Sequence, residues 1–113
     1  MTRTPRLYIS DILESIEKIQ RYTKNLTFEE FMKSPMVIDA VARNFEIIGE
    51  ASSHVHENIQ DQYPQLPWFK MKAMRNIVAH EYFRIDLSIM WETAQVDLPE
   101  LLSPIQKILS ELR

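Results

Sequence analysis

Between Met74 and Phe83 the chain reads Met-Arg-Asn-Ile-Val-Ala-His-Glu-Tyr-Phe, and this run gathers side chains able to do chemistry. The imidazole of His80 can take a proton from a 2′-hydroxyl or give one to a departing 5′-oxygen near neutral pH. The guanidinium of Arg75 presents a fork of donors that holds a phosphate and stabilises the charge building on it in a transition state. Asn76 can orient the imidazole or share the phosphate. This set suits cleavage of RNA without a metal ion, with Arg75, Asn76 and His80 as the catalytic candidates.

Geometry constrains that reading. On a regular α-helix turning about 100° per residue, Asn76 and His80 lie about 40° apart and Arg75 and Tyr82 about 20° apart. Arg75 and His80 differ by about 140°, so one regular helix does not aim both at one small group. Either the helix ends near His80, or a second copy of the chain completes the site.

The elements that must carry these residues read as helices throughout. Gly49 is the one glycine in 113 residues, which leaves little material for hairpin turns or phosphate-cradling loops. Ile9, Ile12, Leu13, Ile16 and Ile19 form the apolar stripe of an amphipathic helix from about Arg6 to Thr23. Thr27-Phe28-Glu29-Glu30 reads as a capping box opening a short helix to Lys33. Ser34-Pro35 is a second start signal, and the helix it opens, to about His56, lines up Val37, Val41, Phe45, Ile48 and Ala51. Asp61 to Pro67 is the expected connecting loop, after which one helix runs from Pro67-Trp68 to about His80 or Tyr82. Leu87, Trp91, Ala94, Leu98, Leu101, Ile105, Ile108 and Leu112 alternate four- and three-residue steps, an apolar seam capped by Asp86 and kinked by Pro99 and Pro104. The expected fold is all-α, a single domain over residues 1–113: an antiparallel four-helix bundle with a short extra helix and a kinked C-terminal helix.

The bulk numbers fit a globular protein and close off several classes. Apolar residues make up 45% and charged residues 26% of the chain, as in an ordinary folded domain. With no cysteine, disulfides, thiolate metal sites and thiol nucleophiles are out. No apolar run approaches the roughly 20 residues that cross a bilayer, and none follows the basic N-terminus as a signal peptide would. A cytoplasmic location is the expectation. The net charge of −3 argues against broad capture of nucleic acid, yet Lys70, Lys72, Arg75 and Arg84 against Glu81 make residues 66–85 locally basic. Lys70, Lys72 and Arg84 are therefore candidate contacts for an RNA backbone.

The run from Arg75 to Tyr82 matches the Arg-x4-His-x-Tyr signature of HepT-like toxins, a branch of the HEPN ribonucleases. The chain resembles that family from end to end, in Arg6-Leu7-Tyr8, Asp11-Ile12-Leu13, the stretch from Arg43 to Ala51, Pro67-Trp68, and Trp91-Glu92-Thr93 through Asp97-Leu98-Pro99. Glu81 departs from it, since a small residue such as glycine is common there. The resemblance implies a four-helix-bundle homodimer whose motifs meet at a shared cleft, which answers the angular objection. It implies that Arg75 and His80 are the catalytic pair and that Asn76 matches the polar position after the arginine. It further implies the toxin half of a toxin–antitoxin system, with a minimal nucleotidyltransferase antitoxin of the MNT type. In part of the family that antitoxin transfers AMP from ATP to the motif tyrosine, here Tyr82. The resemblance implies an RNA substrate, tRNA among the candidates, cut without a cofactor.

Other constellations carry less. Glu46, Glu50 and His54 recur every four residues on one helix face, with His56 and Glu57 nearby, but the paired Glu-x-x-His motifs of a di-iron bundle are missing. No metal is expected there. Arg43, Glu46 and Glu50 instead suggest a polar stripe able to pair with Arg75 inside the bundle. Met71, Met74 and Val78 have core spacing, and Trp91 lies on the apolar seam. No Ser-His-Asp set or glycine loop is recognisable. The rival to the enzyme is a non-catalytic helical module that docks a nucleotidyltransferase and presents RNA or nucleotide to it.

Overall fold

The computed structural model describes residues 3–79 and 86–112. Helix α1 spans Pro5–Thr23, with Thr4 as its cap and proline at its first position. Its stripe is the core face: Ile9, Ile12, Ile16 and Ile19 are fully buried, each contributing about 1.5–3 kcal/mol of apolar burial. Asn25, at φ 67° in the left-handed region, turns the chain after it, a conformation asparagine tolerates.

Helix α2 spans Phe28–Met32 and begins with the expected capping box. The Glu30 amide donates to Thr27 Oγ1 at 3.1 Å, and Glu30 Oε1 accepts from the Thr27 amide at 2.8 Å. Ser34 behaves differently from expectation: its hydroxyl donates back to the Glu30 carbonyl at 2.8 Å rather than capping forward. Helix α3 then runs Pro35–His54 and buries Val41, Phe45, Ile48 and Ala51. The rings of Tyr8 and His54 meet edge-on with centroids 5.4 Å apart, so the start of α1 lies by the end of α3 and the two helices are antiparallel.

The sequence between 56 and 67 holds a helix that periodicity does not reveal. Helix α4 spans Glu57–Gln62, and His56 caps it by accepting from the Asn58 amide at Nδ1, 3.0 Å. Helix α5 spans Trp68–Ala73 and α6 spans Asn76–Ala79, separated by a turn at Met74–Arg75. The single helix expected from Pro67-Trp68 to about His80 is thus broken at the arginine.

Helix α7 spans Leu87–Glu92 under the Asp86 cap, whose Oδ1 accepts from the Ser88 and Ile89 amides at 3.0 and 3.3 Å. A π-helical turn, Thr93–Asp97, joins it to α8, Leu98–Glu111. The Leu98 amide donates five residues back to Thr93, and this wider turn comes just before Pro99, which has no amide hydrogen to continue the ladder. Pro104 stays inside α8. The seam survives: Ala94, Leu98, Leu101, Ile105 and Ile108 are buried, with Leu87, Trp91 and Leu112 half-buried against them.

The C-terminal rod returns along α1, tied at its start by Gln95 Nε2 donating to Thr23 Oγ1 at 3.0 Å. Its far end meets the loop after α4, where the Tyr63 hydroxyl donates to Glu111 at 2.7 Å. Trp91 packs against Phe31 and Phe28, with centroids 5.1 and 6.2 Å away. The architecture is the all-α bundle expected, with no strand among the described residues. None of its described helices is long and apolar enough to cross a membrane.

Candidate active site

The site begins with Gly49. A Cβ on this residue would lie 2.7 Å from the Arg75 amide nitrogen, 2.8 Å from Arg75 Cβ and 3.0 Å from the Lys72 carbonyl oxygen. No side chain fits there, so glycine is what lets α3 press against the turn that carries Arg75. That turn is built from short-range bonds, Met74 to Met71 and Ile77 to Met74, each 3.2 Å. Buried Met71 and Met74 anchor it from the core side. Arg75 and Asn76 are left exposed on its outer side.

Both residues border a groove of about 1150 Å³ between α1 and α3. Within its lining, Arg75 Nη1 donates to Glu50 Oε2 at 3.0 Å. The polar stripe on α3 therefore does pair with Arg75. It does so in the open, with the Arg75 and Glu50 side chains 44% and 58% exposed, rather than in the bundle interior. The physical reason is the helix break, which turns the guanidinium outward over α3 instead of burying it. The remaining α3 partners are Arg43 with Glu46 at 3.4 Å and His54 Nε2 with Glu50 Oε1 at 3.5 Å.

Four cations and four carboxylates line the groove, so it is charge-balanced rather than a broadly basic channel. Lys70 and Lys72 stand on α5 outside the groove lining. His80, Tyr82 and Arg84 fall outside the described residues. The break also removes the premise of the 140° separation, since Arg75 lies in a turn before α6 rather than inside one regular helix. Among the described residues no group of three potential ligands could hold a metal; Glu46 and Glu50 are engaged by arginines.

Residues of α1 and Arg3 just before it complete the groove, and sequence reading placed none of them there. Arg3 donates to Asp11 at 2.6 Å and lies 5.0 Å over the Tyr8 ring, and Tyr8 in turn supports His54. Their signal was faint, because Tyr8 and Asp11 look like ordinary residues on the flank of an amphipathic helix.

The described site is thus an exposed arginine–asparagine turn held over a carboxylate-bearing helix in an all-helical bundle. Comparison with known proteins gives the class its name. The family described as Ribonuclease HepT-like matches residues 12–108, and the chain belongs to this HEPN-superfamily family of ribonucleases. A protein of Thermococcus cleftensis named "Probable ribonuclease HepT" is 36% identical over 108 residues, covering 96% of this chain and 98% of its own. A Methanocaldococcus jannaschii protein named as an inferred RNase is 34% identical over 97% of this chain and 91% of its own. A second M. jannaschii protein, whose name joins a gamma-glutamylcyclotransferase to an inferred RNase, is 40% identical over 99% of this chain; the chain spans 50% of its length. No solved structure matches.

Proposed function

We propose that the chain is a metal-independent endoribonuclease, the toxin of a toxin–antitoxin pair, acting as a homodimer with Arg75, Asn76 and His80 at a site shared between two copies. One observation carries this reading: Arg75 and Asn76 are presented at the edge of a groove by a turn that only a glycine on the facing helix accommodates. Glu50 engages Nη1 of Arg75 among the described contacts, and a guanidinium has five N–H donors, so others remain for a phosphate. His80 transfers a proton at the 2′- or 5′-oxygen, while Arg75 stabilises the charge that builds on the non-bridging phosphate oxygens. Lys70, Lys72 and Arg84 hold the flanking backbone.

Silencing follows the same chemistry. A nucleotidyltransferase antitoxin of the MNT type transfers AMP to the Tyr82 oxygen with release of pyrophosphate. That places bulk and negative charge two residues from His80, where both oppose RNA.

The test is the chemistry of the cut ends, using total RNA and a tRNA pool. Attack by the 2′-hydroxyl leaves a cyclic phosphate upstream and a 5′-hydroxyl downstream; upstream fragments ending in 3′-hydroxyl groups would reject the mechanism. Sedimentation at micromolar concentration should show a dimer, and a monomer would remove the shared site. A chain that cuts nothing, carries no AMP on the Tyr82 peptide, and still binds the nucleotidyltransferase would be the docking module instead.

A further inference from the structure

Helix α5 is closed on one side and open on the other. Trp68 and Met71 are buried, as is Met74 just after them, and Trp68 Nε1 donates to the Tyr63 carbonyl at 2.9 Å. Phe69 sits between these anchors with 85% of its surface in solvent. Tyr22, the other aromatic among the large exposed apolar side chains, is 36% exposed. The Phe69 ring is absent from the described core and from the apolar side chains packed against it. A phenyl ring left in water forgoes the burial that normally stabilises it.

The surroundings of the ring carry one sign of charge. Lys70 follows it, Lys72 lies three positions on, a neighbouring place on the helix, and Arg75 comes next. Between Gln62 and Ala79 the chain has no aspartate or glutamate. Among the described contacts, Glu50 of α3 is the carboxylate that reaches this segment, at Arg75. A bare ring among cations matches a single-stranded nucleic acid, with a face for a base and ammonium groups for the phosphates beside it. Paired RNA fits less well, because its bases are already stacked on one another. So does a protein partner, since lysine is depleted at the centre of protein interfaces.

We propose that Phe69 is a stacking platform for an unpaired base of the RNA, with Lys70 and Lys72 on the adjoining phosphates. This rests on the ribonuclease reading above and narrows its substrate to RNA that is single-stranded beside the phosphate held by Arg75. Met74 keeps right-handed helical angles in the intervening turn, so Asn76 lies roughly 10 Å along the chain axis from Phe69. About three stacked nucleotides span that distance. Each copy in a dimer carries its own Phe69 beside its own Arg75, so the arrangement holds whether one copy builds a site or two share it. Every base has a face to stack, so the platform selects unpaired strands rather than one sequence.

The experiment separates binding from cutting. The probe is a short single-stranded RNA with 2′-O-methyl groups, which has no 2′-hydroxyl to attack, read by fluorescence anisotropy over a range of salt beside a duplex of the same sequence. Phe69→Ala should melt with wild type, bind the single strand about 5–150-fold more weakly, keep the salt slope and lose nothing on the duplex. Phe69→Trp should restore the affinity, and Phe69→Leu, apolar but without a ring, should not. Lys70→Ala should instead lower the salt slope by about 0.7. The inference is overturned if Phe69→Ala binds the single strand as wild type does, weakens the duplex equally, or is matched by full recovery in Phe69→Leu. It is also overturned if Phe69→Ala turns a wild-type dimer into a monomer in sedimentation, which would give the ring to a contact between copies. Cleavage of total RNA is measured separately. Wild type that binds the probe through Phe69 yet cuts nothing would reject the ribonuclease reading and leave the platform. Wild type that cuts RNA but does not need Phe69 for the probe would reject the platform alone.

Discussion

Gly49→Ala tests whether the α3–turn contact sets the site. The added Cβ would stand 2.7 Å from the Arg75 amide nitrogen, where ordinary contact begins at 3.4 Å. The deficit is about 0.7 Å, and the atoms it meets are backbone and Cβ, which no rotamer change can move. Helix propensity favours the alanine by about 1 kcal/mol, while forcing a methyl into a filled contact costs about 1–3 kcal/mol. The net expectation is a loss of about 0–2 kcal/mol in urea unfolding. Activity should suffer more than stability. Displacing Arg75 by most of an ångström from a phosphate is a misplacement of the size that costs up to about 10²-fold in rate. Initial rates of RNA cleavage beside urea midpoints would read both. A variant about 1 kcal/mol more stable than wild type, cutting at the wild-type rate, would refute the close approach and its role.

Further outcomes follow from other contacts. Arg75→Ala removes an exposed ion pair of the kind worth about 0–1 kcal/mol, so its unfolding should barely move, while cleavage falls about 10²–10³-fold; a stability loss matching the activity loss would make Arg75 structural. Thr27→Ala should cost about 1 kcal/mol through the capping box without changing cleavage per folded molecule, checked by melting and active-site-normalised rates. Hydrogen bonds from the Ser88 side chain and the Ile89 amide hold the Asp86 carboxyl below its usual range. Its contribution is therefore present above the unfolded carboxylate pKa and is lost as pH falls through the lowered folded value. Relative to Asp86→Asn, wild type should lose stability in urea titrations as pH drops below 4; a constant difference from pH 7 to pH 2 would contradict this.

How much of this was legible in the sequence depends on where the determining contact lies. The α1 stripe, the Thr27–Glu30 capping box, the Asp86 cap and the C-terminal seam are local patterns, and each reappears in the structure. Helix α4 escaped because Glu57–Gln62 contains one apolar residue, Ile59, and its cap is a histidine. The π-helical turn left the four-three rhythm of the seam intact, so only Pro99 hinted at it. The break at Met74–Arg75 had no local signal, since the run Phe69 to Ala79 contains neither glycine nor proline. What marks it is Gly49, on a different helix, and the contact exists only after folding. The Arg75–Glu50 pairing was readable as charge on a helix face, whereas its exposure depended on that break. His54 was visible only as part of a metal pattern that its neighbours do not support.

The central claim is that RNA is cut here by side chains alone, with His80 indispensable. Its most direct test is cleavage of total RNA and a tRNA pool by the purified chain in EDTA, beside identically prepared and folded His80→Ala. The account predicts that wild type cuts and the variant does not. Equal cleavage by both proteins, or wild-type activity that EDTA abolishes and a divalent ion restores, would contradict it.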